Sequence, residues 1–158
     1  MAKRICLYGI LTAVCMVLSF VESLIPFDFI APGIKLGLAN SVCLLLIAKG
    51  DVKGAFSVNI VRILLSVLLF SAPSTLIYSL PAGILSVAVM ALVSRLKVFG
   101  IMGFSVLGAV VHNSVQLIAA LFMLGKGVIF YSPFLLISAV ISGNLIGFLG
   151  KTLLAKGK

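Results

Sequence analysis

The chain alternates long apolar runs with short breaks of Gly, Pro or basic residues, and that alternation commits it to a membrane. The runs cover roughly 5–25, 34–48, 55–71, 74–94, 104–124 and 131–150. A helix that crosses a bilayer needs about 20 apolar residues, with a range near 17–25. Lipid offers no hydrogen bonds to a backbone, so each run is expected to close its own bonds as a helix. The expectation is an all-α polytopic membrane protein with six transmembrane helices, one domain spanning residues 1–158. The second and third runs are short, and short segments bounded by Gly or Pro often lie beside transporter binding sites. The N-terminus has a basic start and an apolar run, as a signal peptide would. The run is too long for a cleaved segment and no A-x-A site follows it, so it reads as a retained first helix.

Charge placement tests the count. Only 9% of the residues are charged and 63% are hydrophobic, where a soluble domain carries about 25% charged residues. Lys3, Arg4, Lys49, Lys53, Arg95, Lys97, Lys151, Lys156 and Lys158 all fall on one side of a six-span arrangement. Lys126 falls on the other side, with Lys35 at a helix start there and Arg62 inside a span. Cytoplasmic loops collect Lys and Arg, so this split places both ends in the cytoplasm of a cell-membrane protein. The net charge of +9 is thereby a matter of topology, and no nucleic-acid partner is expected. Small residues four apart, Gly9 and Ala13, Gly33 and Gly37, and Ala139, Gly143 and Gly147, suit close helix packing in lipid. The first of these stripes can instead face a partner subunit.

Polar residues inside the spans are few and are the candidate site. Ionisable residues there usually face a bundle interior or a cavity. Arg62 lies in the third span with Asn59 a turn before it, and Asn40 lies about two turns into the second. His112, Asn113 and Gln116 share one face of the fifth span by their spacing, with Gly108 a turn away opening space. Asn144 lies in the sixth. Arg62 can only donate hydrogen bonds. It must meet carbonyls and amides, reach Glu22, or meet an anionic ligand. Lys35 stands in the first turn of the second span, where helix N–H groups already favour an anion. It is answered by Asp28 or Glu22, or by a ligand entering from outside. The outer loop 26–33, PFDFIAPG, is either a lid or a connector, and Pro81 kinks the fourth span.

Catalytic chemistry is scarce. The three acids, Glu22, Asp28 and Asp51, supply neither paired carboxylates nor an aspartate-rich magnesium site. The single His has no Cys or acid partner in sequence, and there is no P-loop. Cys6, Cys15 and Cys43 sit in apolar runs and imply neither metal nor disulfide. No catalytic residue, metal or cofactor is expected, and binding or transport is favoured over an enzyme.

The stretches PGIKLGLAN, NIVRILL, YSLPAGILSVAVM, GFSVLGAVVHNSVQLIAA and SGNLIG together resemble the family labelled heptaprenyl diphosphate synthase component I, also called the Gx transporter family. The family is grouped with the substrate-binding (S) components of energy-coupling factor (ECF) transporters. The resemblance implies a six-helix bundle that holds a small molecule near the outer face. It also implies docking to a transmembrane coupling subunit driven by ATPases. Such components dock through an AxxxA stripe on the first helix, for which this chain has Gly9 and Ala13. The implied ligand is vitamin-, quinone- or isoprenoid-like, with Lys35, Asn40, Arg62, His112, Asn113, Gln116 and Asn144 as its site. An alternative is a non-catalytic membrane accessory of heptaprenyl diphosphate or menaquinone synthesis.

Overall fold

The computed structural model describes residues 2–24, 37–70, 72–96 and 98–156. Among them run six helices: α1 (Ala2–Ser23), α2 (Asn40–Ala48), α3 (Val52–Phe70), α4 (Leu76–Arg95), α5 (Ile101–Leu124) and α6 (Ser132–Lys156). Short 3₁₀ turns, Pro73–Thr75 and Lys126–Tyr131, lead into α4 and α6. The described residues contain no strand. The spans on α1, α3, α4, α5 and α6 are long and apolar enough to cross a membrane. The architecture is an all-α membrane bundle.

The second helix differs from the run expected over 34–48. Its described part has nine residues and rises only about 14 Å at about 1.5 Å per residue. The cause is Gly37, whose φ of +70° is left-handed and cannot continue a helix. Asn40 therefore opens α2 rather than lying two turns inside it. Gly37 is a turn residue, not part of a packing stripe, and Gly33 lies outside the described residues. At the other end Gly50, with φ +83°, stops α2. The Gly50 N–H donates to the Ile47 carbonyl at 2.9 Å and the Asp51 N–H to that of Leu46 at 2.8 Å, a Schellman closure.

Between these stops Val42, Cys43, Leu44, Leu46 and Ile47 are all buried. A helix apolar on every side needs neighbours on every side, and α2 packs against α1, α3, α4, α5 and α6. It is the centre of the bundle. Polar contacts from α1 fix its register. Glu22 accepts the Gly37 N–H just before α2. The Tyr8 hydroxyl donates to Asp51 at 2.6 Å just after it. Asp51 also accepts the Gly54 N–H at 2.9 Å and so caps the start of α3.

The α5–α6 pair has the most extensive helix contact. Gly143 and Gly147 let the backbones meet: a Cβ on Gly143 would stand 2.7 Å from the Val106 Cα, and one on Gly147 2.8 Å from the Met102 Cα. Ala139 is fully buried on the same face. Without a hydrophobic drive between helices in lipid, such close van der Waals contact is what holds them. Gly9 and Ala13 are exposed, and a Cβ on Gly9 would meet nothing within 4 Å.

Two outcomes follow. Gly143→Leu overpacks α5 against α6 and should cost about 1–3 kcal/mol, read as a lower unfolding midpoint in detergent, whereas Gly9→Leu should leave that midpoint unchanged. The Tyr8 hydroxyl and the Gly54 N–H hold the Asp51 carboxyl below its ordinary value of 3.8. The stability from this depressed group is complete above that ordinary value and is lost as pH falls through the lower native one. Unfolding midpoints measured from about pH 6 to about pH 3 should fall with acid, and Tyr8→Phe should flatten that fall.

Candidate functional site

Polar side chains from different helices meet beside the N-terminal half of α2. A cavity of about 50 Å³ there is lined by Glu22 of α1, Asn40 of α2, Arg62 of α3, Ser86 of α4, Ser105, His112 and Asn113 of α5, and Ser142 of α6. Leu44, Met90, Ala109 and Ile146 supply its apolar wall. Of the residues singled out from sequence, Asn40, Arg62, His112 and Asn113 converge here. Spans far apart in the chain bring them together because α2 is short enough to be surrounded.

Arg62 lies near the middle of α3 and is partly buried. Its Nη2 donates to the Asn59 Oδ1 at 2.8 Å, one turn earlier on the same helix. It also donates to the Asn40 Oδ1 at 3.2 Å, across on α2. Side-chain amides thus provide the oxygens a guanidinium needs where water is excluded. Its Nε is buried and finds no hydrogen-bond acceptor among the described residues. Asn59 is fully buried, 0% exposed, and its Nδ2 likewise finds none. That amide faces Gly83 of α4, where an added Cβ would stand 2.8 Å from Nδ2.

Several lining groups spend their protons on backbone carbonyls. Ser86 donates to the Gly108 carbonyl at 2.9 Å, joining α4 to α5. Ser105 donates to Gly143 at 2.8 Å and Asn113 to Leu135 at 3.0 Å, joining α5 to α6. Ser142 turns back on Ala139 at 3.2 Å within α6. The serines gave no signal in sequence, because an isolated Ser in an apolar run is common. Glu22 gave a partial one: an acid at the end of a span. It is 8% exposed, and one of its oxygens takes the Gly37 N–H.

The remaining candidates stand elsewhere. Gln116 does not line the cavity, since its turn of α5 continues past it. Asn144 is exposed, and its Nδ2 donates to the Val140 carbonyl at 2.9 Å on its own helix. It faces away because the buried stripe of α6 runs through Ala139, Ser142, Gly143 and Ile146. Gly108, by contrast, does line the cavity beside Met90, with which an added Cβ would collide. Lys35, Asp28 and the loop 26–33 lie outside the described residues.

A second, larger depression of about 740 Å³ lies between α1 and α3. Gly9, Ala13, Val17 and Phe20 form one wall, and Val61, Leu65, Leu69 and Phe70 the other. Phe20 and Phe70 close one end with ring centroids 5.4 Å apart. The sequence stripe Gly9–Ala13 thus borders an apolar groove on the outside of the bundle.

Residues 11–153 match the family model described as heptaprenyl diphosphate synthase component I, and the chain belongs to that family. No curated protein and no solved structure matches it.

Asn40→Ala removes one of the two oxygens that hold Arg62 Nη2, and leaving a buried charged donor short of acceptors costs about 1–3 kcal/mol. Asn144→Ala, at an exposed site, should stay within about 0.5 kcal/mol. Paired thermal unfolding curves of the two variants check the contrast.

Proposed function

We propose that this family member is a membrane-embedded, non-catalytic subunit that binds a small vitamin-, quinone- or isoprenoid-like molecule for transport. It would act as the substrate-binding component beside a coupling subunit and its ATPases. The observation that carries this reading is the convergence of Glu22, Asn40, Arg62, His112 and Asn113 on one internal cavity. A guanidinium in lipid is costly, and such residues mark substrate or ion pathways. Packing alone needs no such cluster, because the α5–α6 contact rests on Gly143 and Gly147. The groove beside Gly9 and Ala13 supports the docking half of the proposal. It is exposed, apolar and long enough to take a partner helix. Charge placement supports cytoplasmic termini, and Lys35 and Gln116 remain candidates for a larger ligand's periphery.

The family description favours a second reading, a membrane accessory of heptaprenyl diphosphate synthesis. In that role too the chain would not be the catalyst. Binding a magnesium diphosphate calls for clustered carboxylates, and this sequence has three acids, of which Glu22 and Asp51 are engaged in holding helices together.

Thermal shift of the purified protein against vitamins, quinones and isoprenoid precursors tests the binding role. A ligand should raise the midpoint, and His112→Ala or Arg62→Ala should remove the rise. A real shift that survives both substitutions places the site elsewhere. Affinity capture then separates the two readings: recovery of a coupling subunit with ATPases supports transport, and recovery of a soluble prenyl synthase supports the accessory role.

A further inference from the structure

The cavity's hydrogen-bond inventory narrows its ligand. Size comes first. A buried water needs about 10–15 Å³ of such space, so about 50 Å³ holds a few waters or one head group of three or four heavy atoms. A diphosphate, with two phosphorus and seven oxygen atoms, does not fit.

Charge comes second. Arg62 and Glu22 both line the cavity, so its described lining sets one guanidinium beside one carboxyl group. A diphosphate would bring at least two negative charges into a site with one guanidinium to meet them. Buried charge without a matching partner costs several kcal/mol per ion, on the order of what a whole site gains.

The direction of the hydrogen bonds comes third. Ser86, Ser105, Ser142 and the Asn113 amide N–H have already donated to backbone carbonyls. The serines still present oxygen lone pairs, and Asn113 presents its Oδ1 together with its second amide N–H. Against them stands the Arg62 Nε–H, a donor with no acceptor among the described residues. A phosphate or carboxylate needs several donors and offers none. A group with one carbonyl oxygen and an adjacent N–H finds a donor in the Arg62 Nε–H and acceptors in the Asn113 and serine oxygens.

We infer that the cavity seats an amide-type edge, as in a carboxamide, lactam or ureide, with its carbonyl on Arg62 Nε and its N–H toward Asn113 Oδ1 and the serine oxygens. The inference rests on the binding role proposed above and names the chemistry of that same site. It also separates the site from prenyl diphosphates and from simple quinones, whose carbonyls lack the adjacent N–H.

Three arginines, Arg4, Arg62 and Arg95, make a direct test practical. With ¹⁵N-arginine in the full chain in detergent, the Nε–H signals are few, and Arg4→Lys and Arg95→Lys assign the third to Arg62. Acetamide should move the Arg62 signal saturably and raise the unfolding midpoint. Acetone, lacking the N–H, should bind about tenfold more weakly, the worth of one hydrogen bond. Pyrophosphate should leave the signal in place. The inference is overturned if pyrophosphate moves the Arg62 signal, if acetone equals acetamide, or if acetamide leaves it unmoved. In that last case, compounds that still stabilise the protein through His112 would keep the binding role and reject only the head group. If no compound of any class stabilises it, the binding role fails as well.

Discussion

A guanidinium inside a lipid-embedded bundle must be met by oxygen atoms, and here that requirement organises the molecule. Arg62 can find those oxygens only if α2 brings Asn40 to it and α3 turns Asn59 the same way. Asn40 can be there only because α2 starts at that residue. It starts there because Gly37 takes a left-handed φ, and Glu22 of α1 holds that turn by its N–H. Five residues from three segments therefore settle where a short, largely apolar helix sits, and the longer helices pack around it.

Small residues set how closely they can do so. Gly143 and Gly147 bring α6 onto α5, and Ser86 and Ser105 hydrogen-bond across to neighbouring backbones at the same level. These contacts leave a narrow polar space beside the N-terminal half of α2 rather than a solid core. The walls are fixed by backbone approach and the lining is fixed by hydrogen bonds, so its donors and acceptors are preset. That is a property of a recognition site, and it is the physical content behind the proposed binding role.

Much of this was legible in the chain. The apolar runs gave the bundle, and Arg62, His112 and Asn113 were visible as polar residues in apolar surroundings. Asn40 was visible for the same reason, though not its position at a helix start: a glycine in an apolar run looks alike whether it packs a helix or ends one. Gln116 and Asn144 looked equivalent to their neighbours, yet Asn144 bonds its own helix and faces outward. Helical spacing tells which residues share a face, and it does not tell which face the next helix covers. The serines were invisible because their role is to donate to a carbonyl on another helix. Gly108 was legible as space, and it lines the cavity beside Met90.

The sequence by itself determined the solvent: a chain this apolar, with its cations gathered at the breaks, can satisfy its backbone in lipid only as helices. It also determined which few side chains would be costly there. Tertiary structure alone decided how that cost is met. Hydrogen bonds from Arg62 to Asn40, from Tyr8 to Asp51 and from Asn113 to Leu135 join residues 22 or more positions apart. Their partners are set by how backbones approach at glycine and serine contacts, a distance between helices that no periodicity along one helix encodes.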